Sequence, residues 1–124
     1  MIRAVLVTHG RLGAELLRAC ETILGPQEGV EILSNEGCSL DDLAGDLASR
    51  LPEGGERVYM FVDLLGGSCT LACQEVRRTH PEVVCYSGVN LPMILEFLYY
   101  RDRVPAQELE ARLLEKGRAG IQRL

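Results

Sequence analysis

IRAVLVTHGRLGAELLRACETILGP, residues 2–26, decides the fold. Ile2 to Thr8 is a short apolar, β-branched run of the kind that forms a fully buried strand rather than an alternating edge strand. It stops at His9-Gly10. Leu12, Leu16, Leu17, Cys20, Ile23 and Leu24 then recur at helical spacing, and Gly25-Pro26 ends the helix. A strand, a glycine turn and a helix thus fit into about twenty-five residues.

The unit repeats along the chain. Val30 to Leu33 reads as a second strand, and Ser39 caps a helix whose stripe is Leu40, Leu43, Leu47 and Leu51, with Asp42 in its first turn. Val58 to Val62 is a third strand, running into Asp63 and the turn Gly66-Gly67. A helix from near Ser68 carries Leu71, Ala72 and Val76. Val83 to Tyr86 is the fourth strand, Asn90 caps the helix that follows with Pro92 in its first turn, and a last helix starts after Pro105. Repeated units of this length predict an α/β three-layer sandwich, with a mostly parallel sheet flanked by helices on both faces. No linker or low-complexity tract interrupts residues 1–124, so one domain is expected. Gly117 to Leu124 supports two readings, a frayed tail or a short strand through Ile121 that needs a neighbour.

Composition narrows the function. Thirteen basic against eighteen acidic residues give a net charge of −5, which argues against a nonspecific nucleic-acid surface. Cys20, Cys38, Cys69, Cys73 and Cys85 are odd in number and contain no CxxC pair, so neither a disulfide framework nor a zinc finger is indicated. Reduced thiols in a cytoplasmic protein are the expectation. The opening residues lack the pattern of a signal peptide, and no apolar run approaches the roughly 20 residues of a membrane span.

Ligands of parallel α/β sheets sit beyond the carboxyl ends of the strands. His9-Gly10 follows the first strand, Asp63 to Ser68 the third, and Ser87 to Asn90 the fourth. Glycines and hydroxyls there bring backbone amides and helix N-termini around a small anion. A neutral imidazole at His9 has one nitrogen free to attack phosphorus, while the other donates a hydrogen bond that Asp63 is placed to accept. Gly10, Gly66, Gly67 and Ser68 are candidates to hold the phosphoryl oxygens. This chemistry needs neither a metal nor a cofactor. Each residue also has a plainer role: His9 and Asp63 as turn residues, Ser68 as a helix cap, and Gly66-Gly67 as a turn without a dinucleotide or P-loop fingerprint. His80, before Pro81 at the opposite end of the sheet, reads as a surface turn residue. Cys69 and Cys73 are two potential ligands, too few for a metal site. In the first turn of a helix, Cys69 is also a candidate for a lowered thiol pKa.

At these residues a resemblance emerges. VTHGRLGAELLRACETILG (7–25), DLLGGSCTLACQEV (63–76) and GVNLPMILE (88–96) resemble, in order and separation, three signatures of the IIA component of the mannose-family bacterial sugar phosphotransferase system. The resemblance implies that His9 accepts a phosphoryl group from the phosphocarrier protein HPr and passes it to a IIB domain, with membrane IIC and IID components acting downstream. It also implies that Asp63 orients His9, that Ser68 helps receive the phosphoryl group, that Nε2 is the modified nitrogen, and that the protein is a homodimer exchanging a C-terminal strand. Family members commonly have Pro and Asn where this chain has Cys69 and Leu71, changes that leave the nucleophile in place. The alternative is a regulatory protein-binding module of the same fold, and thiol chemistry at Cys69 is a weaker third.

Overall fold

A computed structural model describes residues 1–124, and its elements alternate from strand to helix as the sequence predicts. β1 (Arg3–Thr8), α1 (Leu12–Leu24), β2 (Val30–Ser34), α2 (Leu40–Ser49), β3 (Val58–Val62), α3 (Gly67–Thr79), β4 (Val83–Tyr86) and α4 (Leu91–Tyr100) are followed by α5 (Ala106–Ala119). The strands form one sheet in the order β2-β1-β3-β4, and every pairing is parallel. The chain leaves β1 toward β2 on one side and returns to β3 on the other. The carboxyl ends of β1 and β3 therefore flank the point where strand order reverses, the usual place for a site in such sheets.

Alternation along the strands builds two cores. Val5, Val7, Met60 and Val62 point toward α2 and α3 and pack with Leu43, Leu47, Ala72 and Val76. Ala4, Leu6, Tyr59 and Phe61 point the other way, against Cys20 of α1, Phe97 of α4, and Leu109 and Leu113 of α5. The result is the expected three-layer sandwich. In the second core Phe61 stacks with Tyr86 at 5.9 Å and meets Phe97 edge-on at 5.0 Å.

Local signals hold the helices in place. Ser39 and Asp42 close a capping box at the start of α2, and Asn90 accepts the Met93 amide at the start of α4 with Pro92 in the first turn. Ser39→Ala is expected to cost about 1 kcal/mol. A thermal melt should register this as a fall of roughly 3–5 °C; an unchanged midpoint would show that the box contributes nothing.

The structure departs from the apolar stripes at particular residues. Leu12, Ile23, Leu71 and Leu114 are exposed rather than packed. In α3 the buried stripe is Cys69, Ala72, Cys73 and Val76, and Leu71 lies one residue off it. At the C-terminus, Gly117 to Ala119 belong to α5, and residues 120–124 form neither helix nor strand. No helix is long and apolar enough to cross a membrane.

Candidate phosphoryl-acceptor site

The position of His9 follows from how β1 meets α1. Buried Thr8 accepts the Gly13 amide at 2.7 Å through its hydroxyl, and a methyl on Gly13 would stand 3.1 Å from that oxygen and 3.3 Å from Leu6 Cβ. Glycine thus allows the first turn of α1 to press against the strand. Gly10, with φ of +53°, turns the chain immediately after His9.

Asp63 arrives from the neighbouring strand. Val7 pairs with Val62, which sets the ends of β1 and β3 side by side. Asp63 Oδ2 accepts the His9 backbone amide at 3.0 Å, and its carboxylate lies 3.1 and 3.2 Å from His9 Nδ1. One carboxylate therefore fixes both the main chain and the ring. The histidine side chain is 45% exposed and that of Asp63 only 9%. With Nδ1 turned to the carboxylate, Nε2 is the nitrogen left for chemistry.

Gly66 and Gly67 both have positive φ, of +83° and +77°, and α3 begins at Gly67. A methyl on Gly67 would stand 3.9 Å from His9 Nε2 and Cε1. The start of α3, where helix amides lack internal partners, lies beside that nitrogen and favours negative charge there. Gly67→Ala is expected to strain this turn by about 1–2 kcal/mol, while its methyl would only touch the ring. Calorimetry would show a lowered melting temperature, and an unchanged one would mean that the turn does not need glycine.

Ser68 joins through a residue that the sequence reading passed over. Asn35, just past β2, reaches Ser68 Oγ with its Nδ2 at 3.4 Å, and its own amide donates to Thr8 O. The Ser68 oxygen accepts in that contact, leaving its hydroxyl hydrogen available to an anion. A polar residue just beyond a strand's carboxyl end was the available signal for Asn35.

The third expected contributor does not join the site. Asn90 caps α4 and donates to Gly117 O at 2.8 Å, so it braces α4 against α5. Ser87 and Gly88 line a concavity of about 550 Å³ beside the outer edge of β4, with Tyr86, Met93 and Ile121. This is the largest hollow on the protein. It includes neither His9 nor Asp63, and His9 stands on an open rim. The third strand end at the site is that of β2.

The remaining sequence candidates separate clearly. Cys69 is fully buried, and its thiol pKa is raised, first by burial and then by the Asp63 carboxylate. The expectation was a lowered value; loss of hydration and the nearby carboxylate move it the other way. Cys73 and Cys85 face each other across α3 and β4. His80 ends α3 and pairs with Glu82 at 3.2 Å.

Fold and site together define an α/β protein with an exposed histidine, oriented by a buried carboxylate, at the strand-order switch of a parallel sheet. A family model described as the PTS system fructose IIA component, EIIA-man, matches residues 3–114, and the chain belongs to that family. It is 35% identical over 131 residues to the "PTS system mannose-specific EIIAB component" of Escherichia coli K12, an alignment covering 99% of this chain and 39% of the relative. The chain thus spans well under half the length of the curated relatives it matches. Among solved structures, phosphotransferase system component EIIA from Streptococcus agalactiae superposes with a TM-score of 0.90 at 25% identity, covering 99% of this chain and 97% of that one. The mannose/sorbose-specific IIA subunit from Enterococcus faecalis gives 0.85 at 26% identity, covering 99% and 94%.

Proposed function

We propose that residues 1–124 act as a single EIIA domain that carries a phosphoryl group on Nε2 of His9. The observation that carries this reading is the His9–Asp63 pair, in which a largely buried carboxylate holds Nδ1 and leaves Nε2 facing outward beside Gly67. The Nε2 lone pair attacks the incoming phosphorus, and the bond from phosphorus to the donor's nitrogen breaks. The phosphorylated ring is positive while Nδ1 keeps its proton, and the adjacent carboxylate stabilises that charge. The start of α3 and the Ser68 hydroxyl receive the phosphoryl oxygens.

The donor in this reading is phospho-HPr and the recipient a IIB domain, with IIC and IID components of the membrane acting beyond it. The protein works in the cytoplasm, as a homodimer. An open rim suits exchange between proteins. Around it Leu12, Leu64, Leu65 and Leu71 are exposed at the starts of α1 and α3 and in the loop between β3 and α3. Apolar side chains at such positions give a partner something to bury. Leu65, 75% exposed, is the most prominent. Leu65→Glu is expected to raise the KM for phospho-HPr about tenfold, corresponding to about 1.4 kcal/mol of docking, with kcat little changed. A steady-state titration checks this, and an unchanged KM removes Leu65 from the interface.

Transfer from radiolabelled phospho-HPr tests the reading as a whole. The expected label is acid-labile and base-stable, and it leaves the protein when a IIB domain is added. No label, alongside a related domain that does become labelled, would overturn it. The exposed Leu71 of α3 motivates the second reading, a regulatory module whose altered rim selects another partner. A pull-down recovering only relay components would weigh against regulation.

A further inference from the structure

The acceptor histidine has a second neighbour besides its carboxylate. One ring nitrogen of His9, one carboxylate oxygen of Asp63 and the sulfur of Cys69 all lie within 4.8 Å of one another. They come from three separate elements: the end of β1, the end of β3 and the first turn of α3. Strand pairing and the Asp63 contact with the His9 amide hold two of them in register. Zinc binds nitrogen, oxygen and sulfur at about 2.0–2.3 Å, so tetrahedral ligands around it stand roughly 3.3–3.7 Å apart. Closing this cluster takes a movement of about 1 Å, within the range of side-chain torsions.

We propose that His9, Asp63 and Cys69 form a binding site for zinc, and that its occupancy withholds His9 from phosphoryl acceptance. The second half rests on the phosphocarrier reading above; the first does not. A thiolate, an imidazole and a carboxylate form a mixed set that selects zinc over magnesium or calcium, which prefer oxygen alone. Zinc binds the thiolate, carboxylate and neutral imidazole forms, so the Cys69 thiol proton it replaces passes to solvent. The thiolate and carboxylate together supply two negative charges to balance the ion. Asp63 and Cys69 are sheltered and His9 is half exposed, so the ion enters from the His9 side and keeps a water as its fourth ligand. Whichever ring nitrogen binds, phosphoryl acceptance is blocked. Binding at Nε2 occupies the attacking lone pair, and binding at Nδ1 leaves the ring's proton on Nε2, which then has no lone pair to offer.

Cobalt(II) is the direct probe, because a thiolate ligand adds a near-ultraviolet charge-transfer band and four-coordination gives intense visible bands. Anaerobic titration of the full chain is expected to give both, saturating at one equivalent and bleached by zinc. Competition should show Cys69→Ser and His9→Ala losing more zinc affinity than the about 10–100-fold typical of changes to groups behind a ligand. Cys38→Ser, at the exposed thiol, should match wild type. No charge-transfer band in wild type, a band that survives in Cys69→Ser, or one that disappears in Cys38→Ser would each overturn the site. Zinc should also slow labelling by phospho-HPr at least about tenfold in wild type and not in Cys69→Ser, in line with the loss of a direct ligand. Equal labelling of the zinc-loaded protein would overturn the gate. Cobalt binding through Cys69 in a protein that never accepts phosphoryl, even without metal, would instead sink the phosphocarrier reading and leave the metal site standing.

Discussion

His9→Ala is expected to end phosphoryl acceptance, lowering the transfer rate by at least about 10⁴-fold, the scale on which loss of a nucleophile acts. No other group stands ready to replace it. Ser68 shares the site, but an aliphatic hydroxyl without a base is a poor nucleophile, and its hydrogen-bond partner is the Asn35 amide. His80 lies at the other end of α3, paired with Glu82. The substitution should leave the fold intact, because the side chain is half exposed and the Asp63 carboxylate still accepts the backbone N–H of residue 9. A melting temperature near wild type, together with absent label, would separate lost chemistry from lost structure. Full labelling of the variant would mean that the acceptor lies elsewhere.

Asp63→Asn is expected to slow acceptance about 10–100-fold, the usual effect of losing the group behind a functional histidine. The amide keeps the shape but has no charge to stabilise a phosphorylated, positive ring. Its NH₂ can also face Nδ1, which selects the tautomer with the proton on Nε2 and removes the attacking lone pair. The phosphorylated variant should therefore form slowly and lose its phosphoryl group sooner. Stopped-time labelling gives the first quantity, and decay of the isolated product the second. Wild-type values for both would mean that the carboxylate only braces the backbone. Asp63→Ala separates these possibilities further, since it removes the acceptor for the His9 amide as well.

The elements were legible because each was marked twice, by apolar period and by a boundary residue. β3 is Val58–Val62 as read, and Ser39 and Asn90 cap the helices they were expected to cap. The His9–Asp63 pairing followed from a rule about sheets rather than from either residue alone, and the β1–β3 register supplies the contact. Periodicity could not resolve Leu71: beside Ala72 it looks like core, yet at 100° per residue the stripe of Cys69, Ala72, Cys73 and Val76 is centred between Ala72 and Cys73, which turns Leu71 toward solvent. Nor did the strand-end rule by itself say which ends meet. Strand order puts β2 and β3 on either side of β1 and leaves β4 at the edge, so Asn35 joins the site and Ser87 to Asn90 brace helices or line the outer hollow. At Cys69 the helix start suggested a lowered thiol pKa, but burial against the sheet and the Asp63 carboxylate raise it. Sequence alone carries no measure of that burial.

In the proposed relay His9, and no other residue, carries the phosphoryl group. Its most direct test is to incubate the protein with phospho-HPr at neutral pH and map the product by fragmentation that preserves labile phosphoryl groups. One phosphoryl group per chain, located at His9, is expected. A phosphoryl group on Ser68, His80 or a cysteine, with His9 unmodified, would contradict it.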